Sequence, residues 1–135
     1  TPTYHVFRMF RPHMGASAFM TEVDGPTVEY EATGGVASMP AVHVSASTRV
    51  GDGTMCVTLV NRHLSEDIEC LIVLPSGTVA EASATQLVGA TADAHNTAEA
   101  PCAVEPAEVA VRVSGNEVHA TLAKCSVTVV QLRLG

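Results

Sequence analysis

The chain has 135 residues, a length that ordinarily makes one domain with a single core and buries roughly two thirds of its unfolded surface. Its formal net charge is -7, and a single lysine with six scattered arginines leaves no basic stripe to neutralise phosphate or anionic lipid. Nucleic acid and membrane surfaces are therefore poor partners, and no run approaches the roughly 18 to 20 apolar residues of a membrane span.

The opening stretch TPTYHVFRMFRPH predicts a short helix. Thr1 can cap it, Pro2 fits the first helical position, and Tyr4, Phe7 and Phe10 recur at three-residue intervals, with Val6 joining Phe10 at i+4. Pro12 disfavours helical geometry in the residue before it, so the helix should end near Arg11. Three of the five aromatic residues lie in this stripe, which needs a large apolar partner.

After Gly15 the periodicity changes to two and stays there. Phe19, Thr21 and Val23 alternate, as do Val28, Tyr30 and Ala32, and then Val42, Val44 and Ala46 alternate with His43, Ser45 and Ser47. VGDG at 50–53 reads as a hairpin turn, and TMCVTLVN then places Met55, Val57 and Leu59 on one face. DIECLIVL at 67–74 is apolar on nearly both faces, which predicts a central strand, closed by Pro75, Ser76 and Gly77. TVAEASATQLV at 78–88 continues the pattern.

Beyond Val88 about twenty residues have little regular pattern, an uncommon length for a connection unless it is fastened down. Strands resume with VAVRV at 109–113, a Ser-Gly-Asn turn at 114–116, VHATLA at 118–123 and CSVTVVQLRL at 125–134. Eight or nine short strands, one leading helix and no internal repeat point to an all-β fold, an antiparallel β-sandwich.

Cys56, Cys70, Cys102 and Cys125 form no C-x-x-C pair, and no histidine stands at zinc-finger spacing from them. Cys56 and Cys70 could face each other across neighbouring strands, but each cysteine lies in or beside an apolar strand, where a free thiol behaves as a small hydrophobe. A reducing, cytoplasmic setting is expected. The chain starts at Thr1 without a methionine, and its first dozen residues read as the continuation of something longer, an excised piece.

Chemistry is hard to find. His43 and His119 fall on the outward phase of their strands, His5 and His13 belong to the helix and its exit, and no pair has ligand spacing such as H-x-H. There is no G-x-S-x-G, and Gly34-Gly35 opens only a loop toward the next strand. No catalytic residue, metal or cofactor is expected. An independent carbohydrate-binding β-sandwich module is the alternative reading. Such modules stack sugar rings on aromatic side chains, however, and this chain has no Trp and only Phe19 and Tyr30 outside the helix.

TPTYHVFRMFRPHMGA, VSAST, DGTMCVTLVNRHLSEDIE, AHNTAEAPCAVEP and SVTVVQLRL together resemble, in order and spacing, the C-terminal domain of family 51 α-L-arabinofuranosidases. The resemblance covers essentially the whole chain. It implies a jelly-roll sandwich over 15–135, preceded over 1–14 by a linker helix from a catalytic (β/α)8 barrel that Tyr4, Phe7 and Phe10 would face. It also implies a parent enzyme, assembled as a homo-oligomer, that releases terminal α-L-arabinofuranosyl groups from arabinose-containing saccharides. A further expectation is that the parent's N-terminal segment adds a strand to the sandwich. Retention needs two carboxyl groups roughly 5 Å apart, and neither of the family's glutamate motifs occurs here, so the expected role is a non-catalytic accessory domain. Ala98 and Cys102 depart from the usual pattern in the long loop.

Within that loop His95, Asn96, Thr97, Pro101 and Pro106 form a candidate structuring motif. Asn96 is expected to bond backbone two residues on, Thr97 to do so more weakly, and the prolines to stiffen the exit. The competing reading brings His95 or Glu99 against the barrel or a neighbouring subunit.

Overall fold

A computed structural model describes residues 1–135. Its leading helix is α1 (Pro2–Met9), followed by a 3-10 turn at Arg11–His13. The alternating segments become β1 (Ser17–Phe19), β2 (Thr27–Ala32), β3 (Gly35–Pro40), β4 (Val42–Arg49), β5 (Thr54–Asn61), β6 (Ile68–Val73) and β7 (Val79–Val88). After the long connection come β8 (Ala107–Val109), β9 (Arg112–Ser114), β10 (Glu117–Leu122) and β11 (Ser126–Leu134).

A six-stranded sheet in the order β1-β4-β5-β11-β7-β8 packs on a three-stranded sheet, β6-β10-β9, and β2 and β3 pair only with each other. Every pairing is antiparallel. This is the all-β sandwich that the alternation predicts. Its core draws Val42, Met55, Val57, Leu59, Ala84, Val130 and Leu132 from the larger sheet and Val118, Ala120 and Leu122 from the smaller. Val118, Leu122 and Val130 are completely buried, because β10 lies over the middle of the large sheet with its inward phase unbroken.

Several expectations change. β6 is the edge of the small sheet rather than its centre, and Leu71 and Val73 face outward, 48% and 55% exposed. Its two apolar faces reflect an uncovered edge, not burial on both sides. The stretch expected as one strand at 109–113 is split, with β8 on the large sheet and β9 on the small, so the chain crosses between sheets near Ala110. The alternation at 19–23 continues past β1 without pairing. Cys56 and Cys70 lie in different sheets, and all four cysteines are free. Cys56 packs beneath α1 while Cys70 packs against the inter-sheet core.

The helix forms as its caps predict: Tyr4 N–H donates to Thr1 Oγ1 at 3.3 Å and Pro2 holds the first turn. Its aromatic stripe is divided. Positions three apart fall roughly 60° short of a full turn at each step, so Tyr4, Phe7 and Phe10 spiral around the helix. Met9 is buried, and Val6 and Phe10 pack with it against Cys56, Leu87, Val104 and Val129 on the outer face of the large sheet. Tyr4 and Phe7 point away, 59% and 75% exposed.

Candidate functional site

The surface that distinguishes this sandwich is the outer face of its large sheet, where α1, the 3-10 turn and the 89–106 loop converge. His13 fixes the turn. Its Nδ1 lies 2.5 Å from Ser47 Oγ on β4, its Nε2 3.3 Å from Thr58 Oγ1 on β5, and Cys56 Sγ is 3.7 Å from Nε2. Arg49 donates to the backbone carbonyls of both Pro12 and Met14, on either side of His13. Burial holds the His13 imidazole below its ordinary pKa and pushes the Cys56 thiol up to about 11, so both groups stay neutral near pH 7. A thiol with so high a pKa is no nucleophile. The junction is a fastening.

The 89–106 loop is held by a different device from the expected one. Asn96 Nδ2 donates to Val104 O at 2.9 Å, and Val104 N–H donates to Asn96 Oδ1 at 2.7 Å, so the amide pairs with backbone eight residues on rather than two. Val104 is buried in the cluster under α1, where its peptide groups would otherwise lack partners. Thr97 Oγ1 accepts from Ala100 N–H at 3.0 Å, and Thr97 N–H donates to Ala100 O at 3.2 Å, which closes a tight turn just before Pro101. His95 is exposed and its Nδ1 is 3.0 Å from Asp93 O. Glu99 and Pro101 are exposed, and Pro106 lines a shallow cleft beside His5, Arg8 and Met9 of α1.

A third fastening, not singled out from the sequence, is Asn61. It occupies the inward phase of β5 after Met55, Val57 and Leu59, and a polar residue continuing a buried phase is the signal that could have identified it. Its Nδ2 is within 3.1 Å of Glu66 O, Leu122 O and Ala123 O, and its Oδ1 accepts from His63 N–H at 2.9 Å. One amide thus ties the β5–β6 connection to the end of β10. Next to it, Arg62 N–H donates to Ala41 O at 2.8 Å and its guanidinium donates to Pro40 O.

Between β4 and β6 the sandwich is open. The groove there, about 620 Å³, is floored by Val42, Val44, Ala46 and Val57 and walled by Ile68 and Cys70 on one side and by the 19–26 segment on the other. Three strands cannot cover six, and on this side no strand pairs with the outer edge of β6.

The carboxylates are peripheral. All four aspartates and every glutamate except the half-buried Glu117 are exposed. A hydrogen bond and charge from Arg133, 3.0 Å away, hold Glu81 below the usual carboxylate range, and a hydrogen bond from Thr91 does the same for Asp93. Both shifts run opposite to the raised pKa of a general acid. No helix is long and apolar enough to cross a membrane.

The family profile described as the Alpha-L-arabinofuranosidase C-terminal domain matches residues 1–126. No curated protein matches the chain significantly. Among solved structures, the GH51 arabinofuranosidase from Xanthomonas axonopodis pv. citri is 26% identical over 97% of this chain and 26% of its own, with a TM-score of 0.86. AbfB, a family 51 α-L-arabinofuranosidase from Bifidobacterium longum, is 27% identical over 85% of this chain and 22% of its own, with a TM-score of 0.74. The thermostable GH51 enzyme from Thermotoga petrophila RKU-1, at 20% identity over 96% of this chain and 28% of its own and a TM-score of 0.78, shares the fold. The chain thus spans about a quarter of the length of these relatives. Its order of segments, its two-sheet core and its match over nearly its whole length make it a member of the α-L-arabinofuranosidase C-terminal domain family, the C-terminal domain of a family 51 glycoside hydrolase.

Proposed function

We propose that this domain is a non-catalytic support that holds and orients a catalytic (β/α)8 barrel in a parent enzyme that releases terminal non-reducing α-L-arabinofuranosyl groups from arabinan, arabinoxylan and oligosaccharides with retention. The observation that carries the reading is the two-sided helix: α1 is fastened on one side by Met9 and Phe10 while Tyr4 and Phe7 stand exposed on the other. Covering rings of that size contributes roughly 3 kcal/mol each before ordering costs. Tyr4 and Phe7 are the barrel-facing residues, and Phe10 serves the anchored side. Asn96, Thr97, Pro101 and Pro106 hold the loop against the helix. The groove beside β6 takes an added strand from the parent's N-terminal segment. The parent works as a homo-oligomer in the cytoplasm, a setting that suits four free cysteines.

Incubating the purified chain with an aryl α-L-arabinofuranoside tests the central point. No release of the aryl group is expected, and measurable turnover would refute the reading. Titration with arabino-oligosaccharides separates this role from that of an independent sugar-binding module, for which saturable binding without the barrel would be required.

A further inference from the structure

The hairpin of β2 and β3 has no partner in this chain. Six residue pairs, from Thr27↔Pro40 to Ala32↔Gly35, form a ladder roughly 20 Å long at about 3.4 Å per residue, yet neither strand joins either sheet. An isolated two-stranded hairpin is marginal in water, so one that is built this regularly needs cover.

Its root is firm. Ala41 is completely buried, its N–H donates to Pro26 O at 2.8 Å, its carbonyl accepts from Arg62 N–H, and the Arg62 guanidinium donates to Pro40 O. At the tip, Gly34 and Gly35 have φ of +96° and +140°, which turns the chain back without side-chain strain. The result is an arm of fixed direction.

The register gives the arm two faces. Val28, Tyr30, Ala37 and Met39 share one, and Glu29 and Glu31 lie on the other. Tyr30 is 46% exposed although it sits mid-ladder on the apolar face. From Ala16 to Val42 the chain carries Glu22, Asp24, Glu29 and Glu31 and no Lys, Arg or His. A surface matching the Val28–Tyr30–Met39 face is therefore apolar where it meets that face, with the glutamates left turned away from it.

We propose that the β2–β3 hairpin is a docking arm whose Val28–Tyr30–Met39 face seats on an apolar patch of the parent's catalytic unit. This rests on reading the chain as accessory to such a unit. Relatives are about four times as long as the matched region, so a parent of that length has about three quarters of its chain outside these residues, from which the patch can come. A second copy of this chain is the poorer fit. Edge pairing of β2 with its symmetry mate sets glutamates on the same face opposite glutamates, and the copy as a whole carries a net charge of -7.

Hydrogen–deuterium exchange on the intact parent enzyme and on the 135-residue chain tests the proposal. In the parent, amides of residues 28–39 should exchange at least about tenfold more slowly than in the chain alone. Tyr30→Ser with Met39→Ser, made in the parent, should abolish that difference while amides of β5 stay protected. Equal exchange of the arm in both proteins overturns the proposal, as does protection in the chain alone that rises with concentration, which would assign the arm to a second copy. Amides of α1 serve as the internal reference. Slow exchange at α1 with a fast arm sinks the arm alone, and fast exchange at both sinks the accessory reading with it.

Discussion

Asn96 pairs both ends of its side-chain amide with the backbone of Val104, donating at 2.9 Å and accepting at 2.7 Å. The pair imitates one rung of a β-ladder inside a loop that has no strands, and it delivers Val104 to the cluster beneath Met9. Asn96→Ala leaves a buried N–H and C=O without partners, so the chain should lose about 2 to 4 kcal/mol. Thermal unfolding measures this, and an unchanged midpoint would remove Asn96 from the fastening.

Asn61 carries more contacts than its amide has protons: three carbonyls surround Nδ2, so two donors are shared among them. Asn61→Ala is expected to cost about 3 kcal/mol or more, because the ends of β5 and β10 separate where Asn61 is 1% exposed. Urea unfolding with an unaltered slope gives the magnitude. A loss below about 0.5 kcal/mol would contradict the clamp.

The His13 junction predicts a pH dependence. Its pKa is depressed below the ordinary 6.5 by burial, so the unfolded chain binds the proton more readily. The stability contributed by neutral His13 is complete above 6.5 and is lost as pH falls from 6.5 through the lower folded value. Protonation also places a cation beside Arg49, with the Ser47 and Thr58 hydroxyls and the Cys56 thiol, all neutral, as its bonded side chains. Glu81 and Asp93 are likewise depressed, below 4.5 and 3.8, and their contributions disappear only in stronger acid. Melting temperatures should drop between pH 7 and 5 in the native chain and remain nearly flat over that interval in His13→Gln.

The two sides of α1 should respond differently to truncation. Met9→Ala empties a buried site and should cost about 2 to 4 kcal/mol, whereas Tyr4→Ser with Phe7→Ser should change the isolated chain by no more than about 0.5 kcal/mol per site. The reverse order would mean that the helix is mounted the other way round. Chemical denaturation of the two variants decides.

The open β4–β6 side predicts self-association of the chain by itself. β6 offers an unpaired edge with Leu71 and Val73 exposed next to an apolar groove. Light scattering should show mass increasing with concentration, and Leu71→Lys, which puts a charge on that edge, should suppress it. A native chain that stays monomeric at all concentrations would leave the edge without consequence.

The sandwich was legible because alternation with period two is a local property. Val42, Val44 and Ala46, or Met55, Val57 and Leu59, must share a face wherever their strand is placed, and Thr1 with Pro2 must start a helix whatever lies beside it. The family resemblance was legible for the same reason, since it follows the order of residues along the chain. Which strand becomes an edge is not local. DIECLIVL reads as central because its neighbours are unknown, and only the packing of three strands on six left β6 uncovered. The same limit hid His13 and Asn61 as fastenings and put the partner of Asn96 in the wrong place: Ser47, Leu122 and Val104 lie 34, 61 and 8 residues away. Hydrogen bonds of that span exist only once the backbone has closed, so tertiary structure, not residue order, decided where each polar side chain does its work.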